Sequence, residues 1–188
     1  MPPKVKFSKE KIATVAFEMV RKHGIDFLSA RSLAAELGSS TAPIFTSFQS
    51  IEEVQRSVID MAKELYNSYI NQALSSELPF KESGMQYIRL AAEEPELFKL
   101  LFMRGSESEQ YSHFFPSGDE NANAILDIIT NNHGISFDKA KKLYNHLSVY
   151  VHGIAVLFAQ KQYVFTMDDV SDMLSEVFNA LIREDENE

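Results

Sequence analysis

The chain has 188 residues, of which 45% are hydrophobic and 11% aromatic, enough to bury a sizeable core and to exclude a largely disordered protein. It contains no cysteine, which removes disulfide frameworks, thiol catalysis and cysteine-based zinc sites. The formal net charge is −9, yet residues 1–50 carry seven Lys/Arg against four Asp/Glu, while the remainder carries 11 against 23. On charge alone, the basic first quarter fits a solubilising tail as well as a small basic face turned towards a polyanion. No apolar run nears the roughly 20 residues of a membrane span, so no membrane partner is expected. The start, Met1-Pro2-Pro3-Lys4, lacks a leader's apolar segment, so a cytoplasmic location is expected. Glycine (7) and proline (6) are scarce among helix-forming residues, which points to an all-α chain.

Ser8 can cap a first amphipathic helix whose apolar face is Ile12, Val15, Ala16, Met19 and Val20. Arg21, Lys22 and His23 suit the carbonyl end of its dipole, and Gly24 can take a left-handed stop. Ser29 can cap a short helix over 30–37, with Leu33, Ala34 and Leu37 inward. After the break Gly38-Ser39-Ser40, a second short helix over 41–47 can begin because Pro43 falls in its first turn; Ile44 and Phe48 share one face. Two short helices joined by a glycine-containing turn are the mark of a helix-turn-helix unit.

Ser50-Ile51-Glu52-Glu53 reads as a capping box opening a long helix to about residue 75, with the stripe Val54, Val58, Met61, Ala62, Leu65 and Tyr69. Five more helices are predicted. Leu78-Pro79 and Pro95 precede those at about 80–94 and 96–104. A polar, aromatic-studded loop over 105–118 leads to a helix at about 119–132, ended by His133-Gly134. Ser136 caps one running to about 162, and Thr166-Met167-Asp168-Asp169 opens the last, with the stripe Val170, Met173, Leu174, Val177, Phe178 and Leu181. The acidic tail 184–188 is expected to fray. From Val149 to Ala159 nearly every position is apolar or small, including Gly153, Ile154 and Val156. A helix apolar all round must be covered on several sides, either by a second subunit or by the chain's own core.

The block Arg31-Ser32-Leu33-Ala34-Ala35-Glu36-Leu37-Gly38-Ser39-Ser40-Thr41-Ala42-Pro43-Ile44-Phe45-Thr46-Ser47-Phe48, continued by Ser50 and Glu52, resembles the DNA-binding segment of the TetR/AcrR-type transcriptional regulators over roughly residues 8–65. The resemblance implies an all-α fold of about nine helices. Residues 1–50 would be a helix-turn-helix domain continuing into a connecting helix over 51–75, and 51–188 a ligand-binding and dimerisation domain. It further implies a ligand-responsive repressor that acts as a homodimer on double-stranded operator DNA, answers an unidentified small-molecule effector and needs no cofactor or metal. Carried over by position, Ser40, Thr41, Ala42, Phe45, Thr46 and Ser47 would meet bases and phosphates, with Ser29 and Arg31 near the backbone. The family usually has tyrosine at Phe45 and lysine at Ile51, so two phosphate contacts are missing, and the third helix has no Lys or Arg. Phosphate attraction then leans on Lys4, Lys6, Lys9 and Arg31. The last two helices would pair across the dimer through Val149, Gly153, Ile154, Val156, Val177 and Leu181.

In the larger part, candidate ligand-contacting residues are Tyr87, Phe98, Phe102, Met103, Tyr111, His113, Phe114, Phe115, Tyr144, Tyr150 and His152, apolar bodies with a few polar tips; taken singly, each suits a plain core better. Tyr150-Val151-His152-Gly153 is similar to a motif in one subgroup's ligand domain. Catalysis is not expected. His146 and His152 stand about 240° apart on a helix, and no two-histidine metal motif, phosphate-cradling glycine loop or serine-nucleophile elbow is present. The alternative to a DNA reader is a helical small-molecule sensor acting through protein partners.

Overall fold

A computed structural model describes residues 7–104, 120–163 and 165–184. Nine α-helices and no strand occur among them: α1 (Lys9–His23), α2 (Ala30–Glu36), α3 (Ala42–Ser47), α4 (Ile51–Leu74), α5 (Pro79–Glu93), α6 (Pro95–Phe102), α7 (Glu120–His133), α8 (Phe137–Ala159) and α9 (Met167–Glu184). The expected loop over 105–118 and most of the tail lie outside the described residues. The chain divides into two compact units, Met1–Leu65 with Glu96–Arg104, and Tyr66–Pro95 with Gly105–Glu188. The division falls inside α4 rather than at its start, and α6 joins the N-terminal unit.

Local chemistry sets the helix ends of the first unit. Ser8 Oγ accepts from the Lys11 N–H at 3.2 Å to start α1. Gly24 does take positive φ (81°), but its ψ of 164° is extended, so it does not close the helix in the left-handed way expected of it. The chain instead enters a 3-10 turn over Ile25–Phe27 that the sequence pattern did not announce. A second reason for glycine stands beside it, because a Cβ there would lie 2.7 Å from Glu96 Oε2. Ser29 and Ser32 form a reciprocal box at the start of α2, each side chain meeting the other's backbone N–H.

After α2, Gly38 at φ 59° lets Ser39 N–H reach back to Ala34 O at 2.9 Å, closing the helix and turning the chain into α3. α1 packs on α2 and α3. Ile12, Val20, Leu33, Ile44, Val54 and Val58 are fully buried, each contributing about 1.5–3 kcal/mol over an exposed position.

In the second unit α5 packs against α7, α8 and α9, and α8 against α7 and α9. Ile125, Leu126, Ile129, Ala140, Leu143 and Leu147 form a buried cluster, and Val177 and Leu181 of α9 pack against it. α8 starts at the Ser136 cap as expected but ends at Ala159, three residues early. Lys161 adopts φ 57° and Gln162 N–H bonds Leu157 O at 2.8 Å, a left-handed closure without glycine. Tyr163 stacks on Phe158, with centroids 4.1 Å apart, which fastens that turn. At α9 Thr166 and Asp169 complete the expected capping box: Asp169 Oδ2 accepts from Thr166 N–H at 2.6 Å, and Asp169 N–H donates to Thr166 Oγ1 at 3.1 Å. No helix among the described residues is long and apolar enough to cross a membrane.

Candidate functional site

Two places carry chemistry. The first is the α2–turn–α3 segment. Ile44 and Phe48 are buried, and this turns Ser40, Thr41, Ala42, Phe45 and Thr46 to solvent, with Ser47 half-buried. Arg31 is exposed on α2. The structure thus brings the expected α3 residues onto one exposed face, but two hydroxyls there already have work. Thr46 Oγ1 donates to Ala42 O at 2.9 Å, leaving its lone pairs and methyl to face outward. Ser29 Oγ accepts from Ser32 N–H at 3.1 Å as the α2 cap.

Lys9 is likewise engaged. Its Nζ lies 2.7 Å from Glu53 Oε1 and 4.8 Å from the centre of the Phe48 ring. The Lys9 ammonium, with the Gln49 N–H 2.6 Å from Oε2, holds the Glu53 carboxyl below its usual range. That clamp joins the start of α1 to the start of α4. Lys4 and Lys6 lie outside the described residues.

The second place is a cavity of about 400 Å³ within the C-terminal unit, lined from α4, α5, α7, α8 and α9. Its walls are mainly apolar: Ile70, Phe80, Ile125, Ile129, Leu147, Val151, Leu174 and Phe178. Among these, Phe80 and Phe178 meet edge-to-face with centroids 5.7 Å apart. Its hydroxyl groups come from Tyr66, Tyr87, Tyr144, Ser83, Ser148 and Ser175. Tyr87 is 8% exposed, its ring meets Tyr66 edge-on at 6.3 Å, and its hydroxyl lies 3.0 Å from His152 Nδ1. Burial, reinforced by the nearby phenols of Tyr66 and Tyr144, pushes the Tyr87 hydroxyl far above the ordinary tyrosine range. Burial also holds the His152 imidazole below its usual value. Burial therefore favours the neutral form of both Tyr87 and His152.

Of the expected ligand residues, Tyr87 and Tyr144 line the cavity and His152 stands behind Tyr87. Tyr150 is half-buried on α8 and does not line it. Phe98, Phe102 and Met103 belong to the other unit: Phe98 is fully buried core with its ring 5.2 Å from Phe102, and Met103 is exposed. Tyr111, His113, Phe114 and Phe115 lie outside the described residues. Sequence reasoning missed Tyr66, Ser83, Gly84, Ser148 and Ser175. For Ser83, Gly84, Ser148 and Ser175 the signal was small residues on amphipathic helices, where a short or missing side chain leaves space; Tyr66 lies beside the apolar stripe of α4 and shares its periodicity. At Gly84 a Cβ would stand 3.3 Å from both Leu174 Cδ1 and Val151 Cγ2, so α5 runs close to α8 and α9 at the cavity wall.

Of the residues expected to pair two chains, Val149 is 58% exposed and Gly153 faces open space. Val156 is half-buried. Ile154 is 4% exposed and sits in the chain's own core, and Val177 and Leu181 pack on the α7–α8 cluster. Neither a protein-family model nor a curated protein matches this sequence.

Proposed function

We propose that the chain is a DNA-binding transcriptional regulator of the TetR/AcrR type, a ligand-responsive repressor acting as a homodimer, with α2 and α3 as a helix-turn-helix and the C-terminal unit as the sensor. The observation that carries this reading is the α3 surface. The six residues of α3 with the preceding Thr41, held on the core by Ile44 and Phe48, offer Thr41, Ala42, Phe45 and Thr46 together. Such a short helix, small-sided and exposed along one face, fits the major groove, where Ala42 and the Thr46 methyl suit a thymine methyl and Thr41 can bond a phosphate or base edge. The exposed apolar positions Val149 and Gly153 on α8 support a partner helix from a second chain. α4 contributes residues to both units, so it is the covalent link through which a ligand in the cavity would act on the reading head.

The test is selection from a random duplex library by the purified chain at low salt. A two-fold reader should enrich a near-palindromic site with half-sites about one helical turn, or a multiple, apart. Loss of all enrichment would overturn the reading. A second reading, a helical sensor acting through protein partners, is favoured by one observation: α3 has no cationic side chain, and Lys9, the nearby lysine, is held by Glu53. Under it the library yields no site.

A further inference from the structure

We infer that the C-terminal cavity takes an uncharged, largely apolar molecule bearing one hydroxyl or carbonyl oxygen, held by the Tyr66–Tyr87–Tyr144 corner. This deepens the sensor part of the proposed function and rests on it only for the purpose of binding, not for its chemistry. A volume of about 400 Å³ is in the range of small-molecule sites. Of the ionisable groups in the lining other than the phenols, Glu77 and His133 are exposed and Lys81 is half-exposed. The buried wall offers phenol and serine hydroxyls instead.

Ser83 Oγ donates to Pro79 O at 2.7 Å and Ser175 Oγ to Ser171 O at 2.9 Å, so both spend their protons on helix carbonyls and present lone pairs. Tyr87 Oη is hydrogen-bonded to His152 Nδ1 at 3.0 Å, and burial disfavours charge on either partner. A carboxylate or ammonium buried at the tyrosine corner would lose its hydration among neutral hydroxyls and apolar walls, away from the more exposed Glu77, Lys81 and His133, at a large cost. A neutral oxygen would exchange water for phenol hydrogen bonds at little cost, while the rest of the molecule leaves water against Ile70, Ile129 and Leu174.

The test uses the purified chain without DNA, so a failed site selection leaves it standing, and its own failure leaves DNA recognition standing. N-phenyl-1-naphthylamine, a neutral apolar fluorophore, is bound first and then displaced by decanol, 2-decanone, decanoate or decylammonium. The alcohol or the ketone should displace it at least about tenfold more tightly than both ions; which neutral member wins separates a hydroxyl from a carbonyl ligand. Decanoate or decylammonium binding as well as the neutral members would place the head group at Lys81 or Glu77 and overturn the inference, as would failure of the fluorophore to bind. Tyr87→Phe should retain the fluorophore and weaken the preferred neutral ligand about 2- to 12-fold, the worth of one hydrogen bond. Ser148→Phe, checked by circular dichroism for retained helix, should lose fluorophore and ligand together; undiminished binding in a folded Ser148→Phe chain would put the site elsewhere. If that variant does not fold, the four-member series and Tyr87→Phe decide.

Discussion

Burial raises the Tyr87 phenol strongly, and the consequence can be read in titration. An unfolded phenol ionises near 10.0, whereas the folded one is raised, so its contribution to stability is fully present below pH 10 and lost as pH rises through the folded value. In the folded chain at about pH 11, near-ultraviolet tyrosinate absorbance should fall short of all seven tyrosines by at least one. Tyr87→Phe should remove one residue's worth of that shortfall; an unchanged shortfall would show that Tyr87 titrates with the rest. At Gly24 the backbone decides. Its φ of 81° and ψ of 164° belong to a region that side-chain-bearing residues avoid, so Gly24→Ala should cost about 1–3 kcal/mol in urea unfolding. Moving Glu96 aside is the cheaper part, because only the end of a flexible chain is in the way. Gly24 was legible as a helix stop because it follows the apolar stripe of α1 and the basic run Arg21-Lys22-His23, but its ψ was not, since the 3-10 turn that uses it is set by packing. Tyr87 and Tyr144 were legible as polar-tipped aromatics on amphipathic helices. Phe98, likewise an aromatic on an amphipathic helix, lies in another core, because residue type alone does not say which core a helix face joins.

Helix starts were the most legible elements, because a capping side chain and the N–H it serves are three residues apart in the sequence. Ser8, Ser29, Ser136 and Thr166 each accept the bond expected of them. Ser29→Ala should destabilise the N-terminal unit by about 0.5–2 kcal/mol and speed amide exchange at the start of α2. Exchange at wild-type rates would mean Ser32, whose hydroxyl also donates to Phe27 O at 2.8 Å, holds the turn alone. Helix ends were less legible. α8 stops at Ala159 because Lys161 adopts a left-handed conformation held by the Phe158–Tyr163 stack, and nothing in a lysine announces that. The apolar run in α8 needs cover on several sides, from the chain's own bundle on one face and from a partner or more core on the other. Within one chain the coverage is divided: Ile154, Ala155, Phe158 and Ala159 are buried, Val149 and Gly153 are not. Pairing of two chains should therefore respond to Val149→Arg and Gly153→Arg, with sedimentation moving from dimer to monomer at unchanged helicity. Ile154→Asp should instead unfold the C-terminal unit, because its charge would enter the core. A monomeric wild-type chain would remove the dimer from the proposal.

At the scale of the molecule, the cavity and the α3 surface belong to different units, and α4, 24 residues or about 36 Å long, runs through both. A ligand can shift DNA affinity only by its differential affinity for two arrangements, typically 1–3 kcal/mol or about 5- to 150-fold. Spin labels at Gln55 of both copies should therefore report a changed separation when ligand releases DNA, because DNA demands a fixed half-site spacing. Release at constant separation would mean the coupling does not run through α4. The all-helical class was legible from composition and periodicity, since both are averaged over the whole chain. The cavity was not, because it is set by which residues of five distant segments meet. The central claim is that the α2–α3 surface reads a DNA sequence. It is tested most directly by fluorescence anisotropy titration of the duplex selected from a random library against a scrambled duplex of equal composition. The selected duplex should bind on the order of a thousandfold more tightly, with a shallow salt dependence for a dimer because so few cations face it. Thr46→Ala should narrow that preference while leaving scrambled binding unchanged, whereas replacing Lys4 and Lys6 should weaken both duplexes alike. Equal affinity for the two duplexes in the wild-type chain, or no binding to either at low salt, would contradict the claim.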